Sequence, residues 1–393
     1  MTTIPDASHK PLLLPSNHYE APVAFSPNGR LIAAGGQGVI VLWNVNSLHD
    51  SSVIRFDAKN RTSWMAFTQD GSHVLATFTC DAEIGYGHGE SVYMYDIHKG
   101  REIRRFKQNA SLVQPSGASR DRPGFRMPGP RKLCACTLHR ESGQLVVGSE
   151  GGEVWCWEHK DGTLQWNLRV YPEPPFTPHF KSIALSPDGR LLASCRDKDD
   201  DIRIIDTKAQ KRVATMWGHT DTVTCVAFST DGNLLASCSD DATVRIWDLA
   251  TGKEVQRFEG HEADVNCVLF GPSGKEVFSG SLDGTVRVWD VESGAERRVL
   301  RHHQGFPRQR IHSLALSPNG EVLVVDRTSE GVFVWDLTAD INDLDDAIRI
   351  EPPAVFAEIK AELSGPDDDD DEDEGPEPDE EPDGGTGKGV GEG

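Results

Sequence analysis

Residues 234–248 read LLASCSDDATVRIWD, and residues 276–290 read EVFSGSLDGTVRVWD. Each stretch is an apolar run, a polar turn containing Asp, and a second alternating run that closes on Trp-Asp. Alternation of period two between turn residues reads as strand, turn, strand. The two copies stand 42 residues apart, so the unit is a repeat and the rest of the chain should carry more of it.

Searching for the turn upstream of Trp-Asp finds seven matching segments, from VAFSPNGRLIAA (23–34) through MAFTQDGSHVLA (65–76), CTLHRESGQLVV (136–147), IALSPDGRLLAS (183–194), VAFSTDGNLLAS (226–237) and VLFGPSGKEVFS (268–279) to LALSPNGEVLVV (314–325). A third strand follows each and closes at Trp43, Tyr95, Trp157, Ile205, Trp247, Trp289 or Trp335. The last four closing positions are spaced by 42, 42 and 46 residues. Six of the seven repeats continue into a fourth strand, such as KRVATM (211–216) and KEVQRF (253–258). After Trp335-Asp336 no run stands at that offset, whereas KPLLLP (10–15) precedes the first repeat without a partner. The expectation is that this N-terminal segment supplies the outer strand of the last sheet and closes a ring.

Over roughly residues 10–338 the chain resembles the WD-repeat (WD40) family, and the resemblance implies an all-β, seven-bladed propeller of four-stranded antiparallel blades. The match is strongest in the two quoted repeats, which WGHTD and EGHEA precede. In that family a His, a Ser or Thr, an Asp and the Trp form a buried tetrad. By position the resemblance carries this over to His219, Ser237, Asp241 and Trp247, and to His261, Ser279, Asp283 and Trp289. The chemistry suits the role, because Asp accepts from His and backbone amides, and Ser can reach both His and the indole N–H. The other repeats hold Gln37, Gly89, Gly151, Asp199 and Ser329 at the Asp position, and the fourth has lost its Trp to Ile205. Blades one to three and blade seven are therefore expected to rest on apolar packing.

Composition excludes other classes. A hydrophobic content of 37% over 393 residues supports a large globular core. The eight cysteines lie mostly inside apolar runs with no secretory segment ahead of them, which reads as reduced thiols in an intracellular protein, cytoplasmic or nuclear. No apolar stretch approaches the roughly 18 residues of a membrane span. Of the formal charge of −22, residues 366–393 carry −13, from fourteen acidic residues and one lysine. Such a polyanion cannot offset its ordering entropy and is expected to be disordered. Between it and the propeller, 339–365 reads as an extension in which Val355, Phe356, Ile359 and Leu363 have helical spacing, a short amphipathic helix for the propeller surface or for a partner groove.

Two insertions break the period, at 80–91 and at 107–132, and a smaller one lies at 171–180. The second carries Arg120, Arg122, Arg126, Arg131 and Lys132, either a docking loop for an acidic partner or a plain insertion drawn to the acidic tail. Around the face bearing the second-to-third-strand turns, His88, Glu150, Lys198, Asp240, Leu282 and Thr328 occupy the position before the tetrad Asp and form a candidate partner-binding ring. Glycine-rich GYGHGE (85–90) leads into another strand rather than a helix, which argues against a phosphate cradle. Cys134 and Cys136 lack a second ligand pair, and His302-His303 stand where a Gly-His pair has decayed, so no metal or cofactor is expected. No nucleophile with an adjacent base can be assigned, and the acidic body disfavours nucleic acid. The Arg expected two residues after Trp-Asp in ubiquitin-ligase receptors is missing, as is the Phe-Arg-Arg-Gly of phosphoinositide binders.

The resemblance thus implies a non-enzymatic scaffold for protein–protein interaction, a monomeric propeller within larger complexes. The acidic tail raises an alternative, a chaperone or escort of basic clients such as histones or ribosomal proteins. A hydrolytic propeller enzyme is a remote third, since it needs a channel-facing cluster of His and carboxylates.

Overall fold

The computed structural model describes residues 22–57, 60–80, 88–107, 133–139, 141–149, 151–171, 179–301, 310–327, 331–338 and 348–349. These residues form seven four-stranded antiparallel sheets, and in each the strands lie side by side in chain order. The alternation seen in sequence explains the burial. In blade five, the second strand Leu234–Ser239 and the third strand Val244–Asp248 are almost wholly buried, while the fourth, Lys253–Phe258, is mostly exposed. Middle strands are covered on both faces by neighbouring blades and read as continuous apolar runs; outer strands meet solvent and alternate.

The first strands of successive blades adjoin one another all the way round, and the first strand of blade seven, Ile311–Leu316, returns to that of blade one, Val23–Phe25. Seven apolar clusters follow the same order, one between each pair of consecutive blades. In each, the closing residue of one blade packs against the blade before it, so Trp289 meets Ala236 and Val244 of blade five. At the seam Trp43, Phe25 and Val41 meet Val322, Val324, Val332 and Val334 of blade seven, and the Val23 amide donates to Ser313 Oγ at 3.2 Å.

The seventh sheet corrects the expectation for closure. Its fourth strand is Ile348–Arg349, pairing antiparallel with the third through Phe333↔Arg349 and Val334↔Ile348. The outer position is thus filled from downstream. The reason it escapes a fixed-offset search is local: residues 337–347 separate it from Trp335-Asp336, where other blades use a tight turn. KPLLLP (10–15) lies outside the described residues, as do the basic insertion at 108–132, the helical spacing at 352–363 and the acidic segment at 366–393.

Outer strands share one irregularity. In blades one to six the pairing between third and fourth strands shifts register beside the closing residue, as at Ile246/Trp247 and Val288/Trp289. A bulge twists an exposed edge and makes it a poor template for pairing with another sheet. The extra residue faces outward, which accounts for the exposure of Ile103, Val213 and Val255.

The seam yields a prediction. Trp43→Ala should cost about 3–5 kcal/mol, as for other large-to-small changes at buried aromatics. Ending the chain at residue 338 should speed hydrogen exchange at the amides of Gly331–Asp336, because that strand becomes an edge. Unchanged exchange there would contradict a closing strand at Ile348–Arg349.

Candidate functional site

Blades five and six build the same polar constellation from four elements. His219 arrives on the loop entering blade five, Ser237 on its second strand, Asp241 in the following turn and Trp247 on the third strand. His219 Nδ1 lies 2.8 Å from Asp241 Oδ2, and His219 Nε2 lies 2.8 Å from Ser237 Oγ. The Trp247 indole N–H donates to the same Ser237 Oγ at 2.8 Å. Since an ionised Asp241 can only accept, the proton sits on Nδ1 and the Ser237 hydroxyl donates to Nε2. Blade six repeats this with His261, Asp283, Ser279 and Trp289, each contact again 2.8 Å.

The Asp carboxylate organises its own turn as well. Asp241 accepts from the Thr220 amide at 3.0 Å, the Thr243 amide at 2.9 Å and the Thr243 hydroxyl at 2.6 Å. Asp283 does the same with Glu262 and Thr285. Burial works to raise both carboxyls, but the hydrogen bonds from His and Thr outweigh it and hold them well below the usual carboxylate range. Sequence reasoning did not find Thr243 and Thr285, nor Arg245 and Arg287, which lie buried two residues before each Trp. Arg245 pairs with Glu254 at 2.6 Å and approaches Asp241 at 3.7 Å; Arg287 pairs with Glu296. The repeated TVRxWD string was the available signal. The Gly of each Gly-His pair has a steric reason: a Cβ on Gly218 would sit 2.8 Å from Arg245 Nη1, and one on Gly260 would sit 2.5 Å from Arg287 Nη1.

Other blades solve the closing position differently. At blade four, Tyr171, which follows the outer strand of blade three, is fully buried and its hydroxyl lies 3.4 Å from both the carbonyl and the Oγ of Ser194, the counterpart of Ser237 in strand register. The Arg196 and Arg203 guanidiniums stand 4.8 and 4.1 Å from its ring centroid, while Arg196 engages Asp199 and Arg203 pairs with Asp201. Aromatic stacking serves blades three and seven, with Trp155 against Trp157 at 6.0 Å and Phe333 against Trp335 at 6.1 Å. There the Trp155 and Trp335 indole N–H groups are buried without a partner among the described residues.

Geometrically, Ser237, His219 and Asp241 are a Ser-His-Asp triad, yet the arrangement cannot act as one. Ser237 is fully buried, and its oxygen already accepts from Trp247. An acyl substrate has no approach to it. The groups that remain open lie on the turns. Lys198 is exposed at φ 62°, while Asp240 and Leu282 are half-buried and donate their amides to Thr222 and Asp264 carbonyls. His88 opens the third strand of blade two, and Glu150, Thr328 and the five basic residues at 120–132 lie outside the described residues. Beside Asp240 stand Asp264, Asp221 and Asp197, with Lys181 as countercharge, 3.3 Å from Asp197. Burial and then the Asp264 charge push the Asp240 carboxyl above its ordinary value. Cys134 Sγ and His179 Nδ1 lie 3.8 Å apart, and no group of three potential metal ligands occurs among the described residues. No helix there is long and apolar enough to cross a membrane.

Comparison with known proteins agrees with the architecture. The family described as WD domain, G-beta repeat matches residues 23–44, 172–206, 210–248 and 252–290. Four stretches of the chain thus match WD repeats, and its fold is the seven-bladed β-propeller. It is 28% identical over 175 residues to the Protein LST8 homolog of Drosophila melanogaster, covering 44% of this chain and 45% of that one. It is 25% identical over 196 residues to a subunit of chromatin assembly factor 1 from Mus musculus, covering 46% and 33%. The transcription factor unc-37 of Caenorhabditis elegans is 28% identical over 111 residues, covering 28% and 17%. The chain thus spans less than half the length of these curated relatives. A solved chain from the mitotic checkpoint complex superposes with a TM-score of 0.65 at 19% identity, covering 86% of this chain and 92% of that one, and shares the fold.

The tetrads make two effects measurable. Ser237→Ala leaves the Trp247 N–H without an acceptor and should destabilise by about 1–3 kcal/mol in urea unfolding. Because Asp241 and Asp283 are depressed in the folded state, their contribution is fully present above the unfolded carboxylate value of about 4 and is lost as pH falls below it. The Asp241→Asn/Asp283→Asn double variant should therefore be less stable at neutral pH and show a flatter loss on acidification, measured as urea midpoints against pH. A parallel offset at all pH values would show the carboxylates to be uncoupled from folding.

Proposed function

We propose that the chain is a non-enzymatic interaction scaffold, holding a partner protein against the face that carries Lys198, Asp240 and Leu282. The supporting observation is the allocation of chemistry. The Ser-His-Asp groups of blades five and six are consumed inside the blades, and among the described residues of that face Lys198 and Asp240 offer charge and Leu282 an aliphatic side chain. Relatives named as part of a chromatin assembly factor and as a transcription factor fit a protein that works in complexes.

A second reading, a carrier of basic clients, draws on the cluster of Asp197, Asp221, Asp240 and Asp264. Burial and then the neighbouring carboxylates raise Asp240, which is unfavourable for its charged form in the free protein, and a bound lysine or arginine relieves the repulsion. The charge of residues 366–393 adds long-range attraction for the same clients.

Binding of a lysine-rich peptide by calorimetry tests the second reading. For a basic client, Asp221→Asn/Asp240→Asn/Asp264→Asn should weaken binding about tenfold at low salt, with the difference shrinking at high salt. Loss on deleting 366–393 alone would assign the attraction to the tail. If neither change matters, the basic-client reading fails, and co-purification of partners with wild type but not with Leu282→Asp remains the test of the scaffold.

A further inference from the structure

We propose that Cys225 and Cys238 are a redox-sensitive thiol pair on the inner strands of blade five, with Cys225 reacting with a peroxide and Cys238 resolving the product into a cross-strand disulfide. Cys225 lies on the first strand, Val223–Phe228, and Cys238 on the second, Leu234–Ser239, where the two are direct partners in the antiparallel register. The register shifts between Val223 and Cys225, so Thr224 also stands against Cys238, yet the two sulfurs are hydrogen-bonded to each other; opposed residues of antiparallel strands have Cα atoms about 4.5–5.5 Å apart. That separation falls inside the roughly 4.4–6.8 Å window a disulfide accepts, so closure needs rotamer changes and little backbone movement.

The two sulfurs differ in the way a reacting and a resolving thiol should. Cys225 is half-buried, whereas Cys238 is fully buried behind it. The Ser182 hydroxyl of blade four lies 3.9 Å from Cys225 Sγ, and the Val268 carbonyl of blade six is also 3.9 Å away. The Cys225 thiol is pulled down to about 7, first by a hydrogen bond from Cys238 and against the opposing effect of burial. Burial pushes Cys238 well up, and Thr224 Oγ1 sits 3.2 Å from its sulfur. A thiolate is the nucleophile toward peroxides, so the less buried residue of the pair is also the one whose thiol is shifted toward the thiolate.

Other nearby thiols lack this arrangement. Cys195 is opposite Ser182, and Cys267 is opposite Gly280. Among the described residues Cys225 and Cys238 alone are cysteines facing each other in register. The chemistry balances in two steps. The Cys225 thiolate attacks one oxygen of the peroxide, the O–O bond breaks, and the second oxygen leaves as hydroxide or alkoxide, giving Cys225 sulfenic acid. The Cys238 sulfur then displaces that hydroxyl, forming the S–S bond and releasing water, with its proton going to the leaving oxygen.

Both cysteines fall in one tryptic segment, residues 213–245, with Asp231 between them. After brief treatment of the folded full-length chain with hydrogen peroxide and alkylation of remaining thiols, that peptide should be lighter by two hydrogens and carry no alkyl group. Cleavage at Asp231 should leave its halves joined until a reductant is added. In Cys238→Ser, Cys225 should instead be trapped by dimedone as the sulfenic acid; in Cys225→Ser, Cys238 should remain an alkylatable thiol. The proposal is overturned if wild-type Cys225 and Cys238 stay alkylatable under conditions that oxidise other thiols of the chain, or if Cys225 links to Cys195 or Cys267. The wild-type measurement stands even if a variant fails to fold.

Discussion

Each blade presses one large side chain against the blade before it, and closure of the ring depends on repeating that contact until it returns to its start. Trp43 performs it for blade one against blade seven, as Trp247 does for blade five against blade four. An indole brings much apolar surface together with one N–H that needs a partner. Blades five and six answer that need with Ser237 and Ser279, and each serine then requires a histidine and each histidine an aspartate. The tetrad is the chain of consequences that follows from burying a Trp beside a strand hydroxyl. Blade four avoids it with Ile205, which has no N–H, and places the Tyr171 hydroxyl at Ser194 instead.

Most of the ring was legible because its two governing periods are local. Alternation within strands and the return of a polar turn containing Gly locate the first and second strands of every blade, and the closing residues, aromatic in six of the seven, mark the end of the third. What could not be read depends on partners distant in sequence. Ile348–Arg349 is too short to register as a strand by itself and acquires that role only from the exposed edge of Gly331–Asp336. Arg245 and Arg287 look like solvent-facing residues of an alternating strand, yet they are buried, because glutamates on the adjacent fourth strand, and for Arg245 also the tetrad carboxylate, compensate their charge. Tyr171 gave no signal either, since it reaches Ser194 across a blade boundary.

The candidate face was legible in its positions and not in its character. Counting back from the closing residues identifies Lys198, Asp240 and Leu282 as turn residues, but their number in sequence does not reveal that Asp221 and Asp264, from the loops entering blades five and six, come to lie beside Asp240. That neighbourhood is a product of the ring, which sets the turn of one blade beside its own entry loop and that of the next.

The same geometry explains how an unfavourable charge cluster persists. Asp240 is bonded directly to Asp241, and Asp241 is fixed by His219, the Thr220 amide and both donors of Thr243. The Ser239 hydroxyl accepts from the Asp241 amide at 3.0 Å and donates to the Asp221 carbonyl at 3.1 Å, tying the turn to the loop that carries the neighbouring acid. A free turn would swing Asp240 toward water and away from Asp264. Here the movement would break hydrogen bonds to a buried carboxylate, which cost more than like-charge repulsion between partly solvated groups. Interior fastening thereby sets surface electrostatics: the blades with the most satisfied polar cores are the ones able to hold their acids in an arrangement that a cation improves.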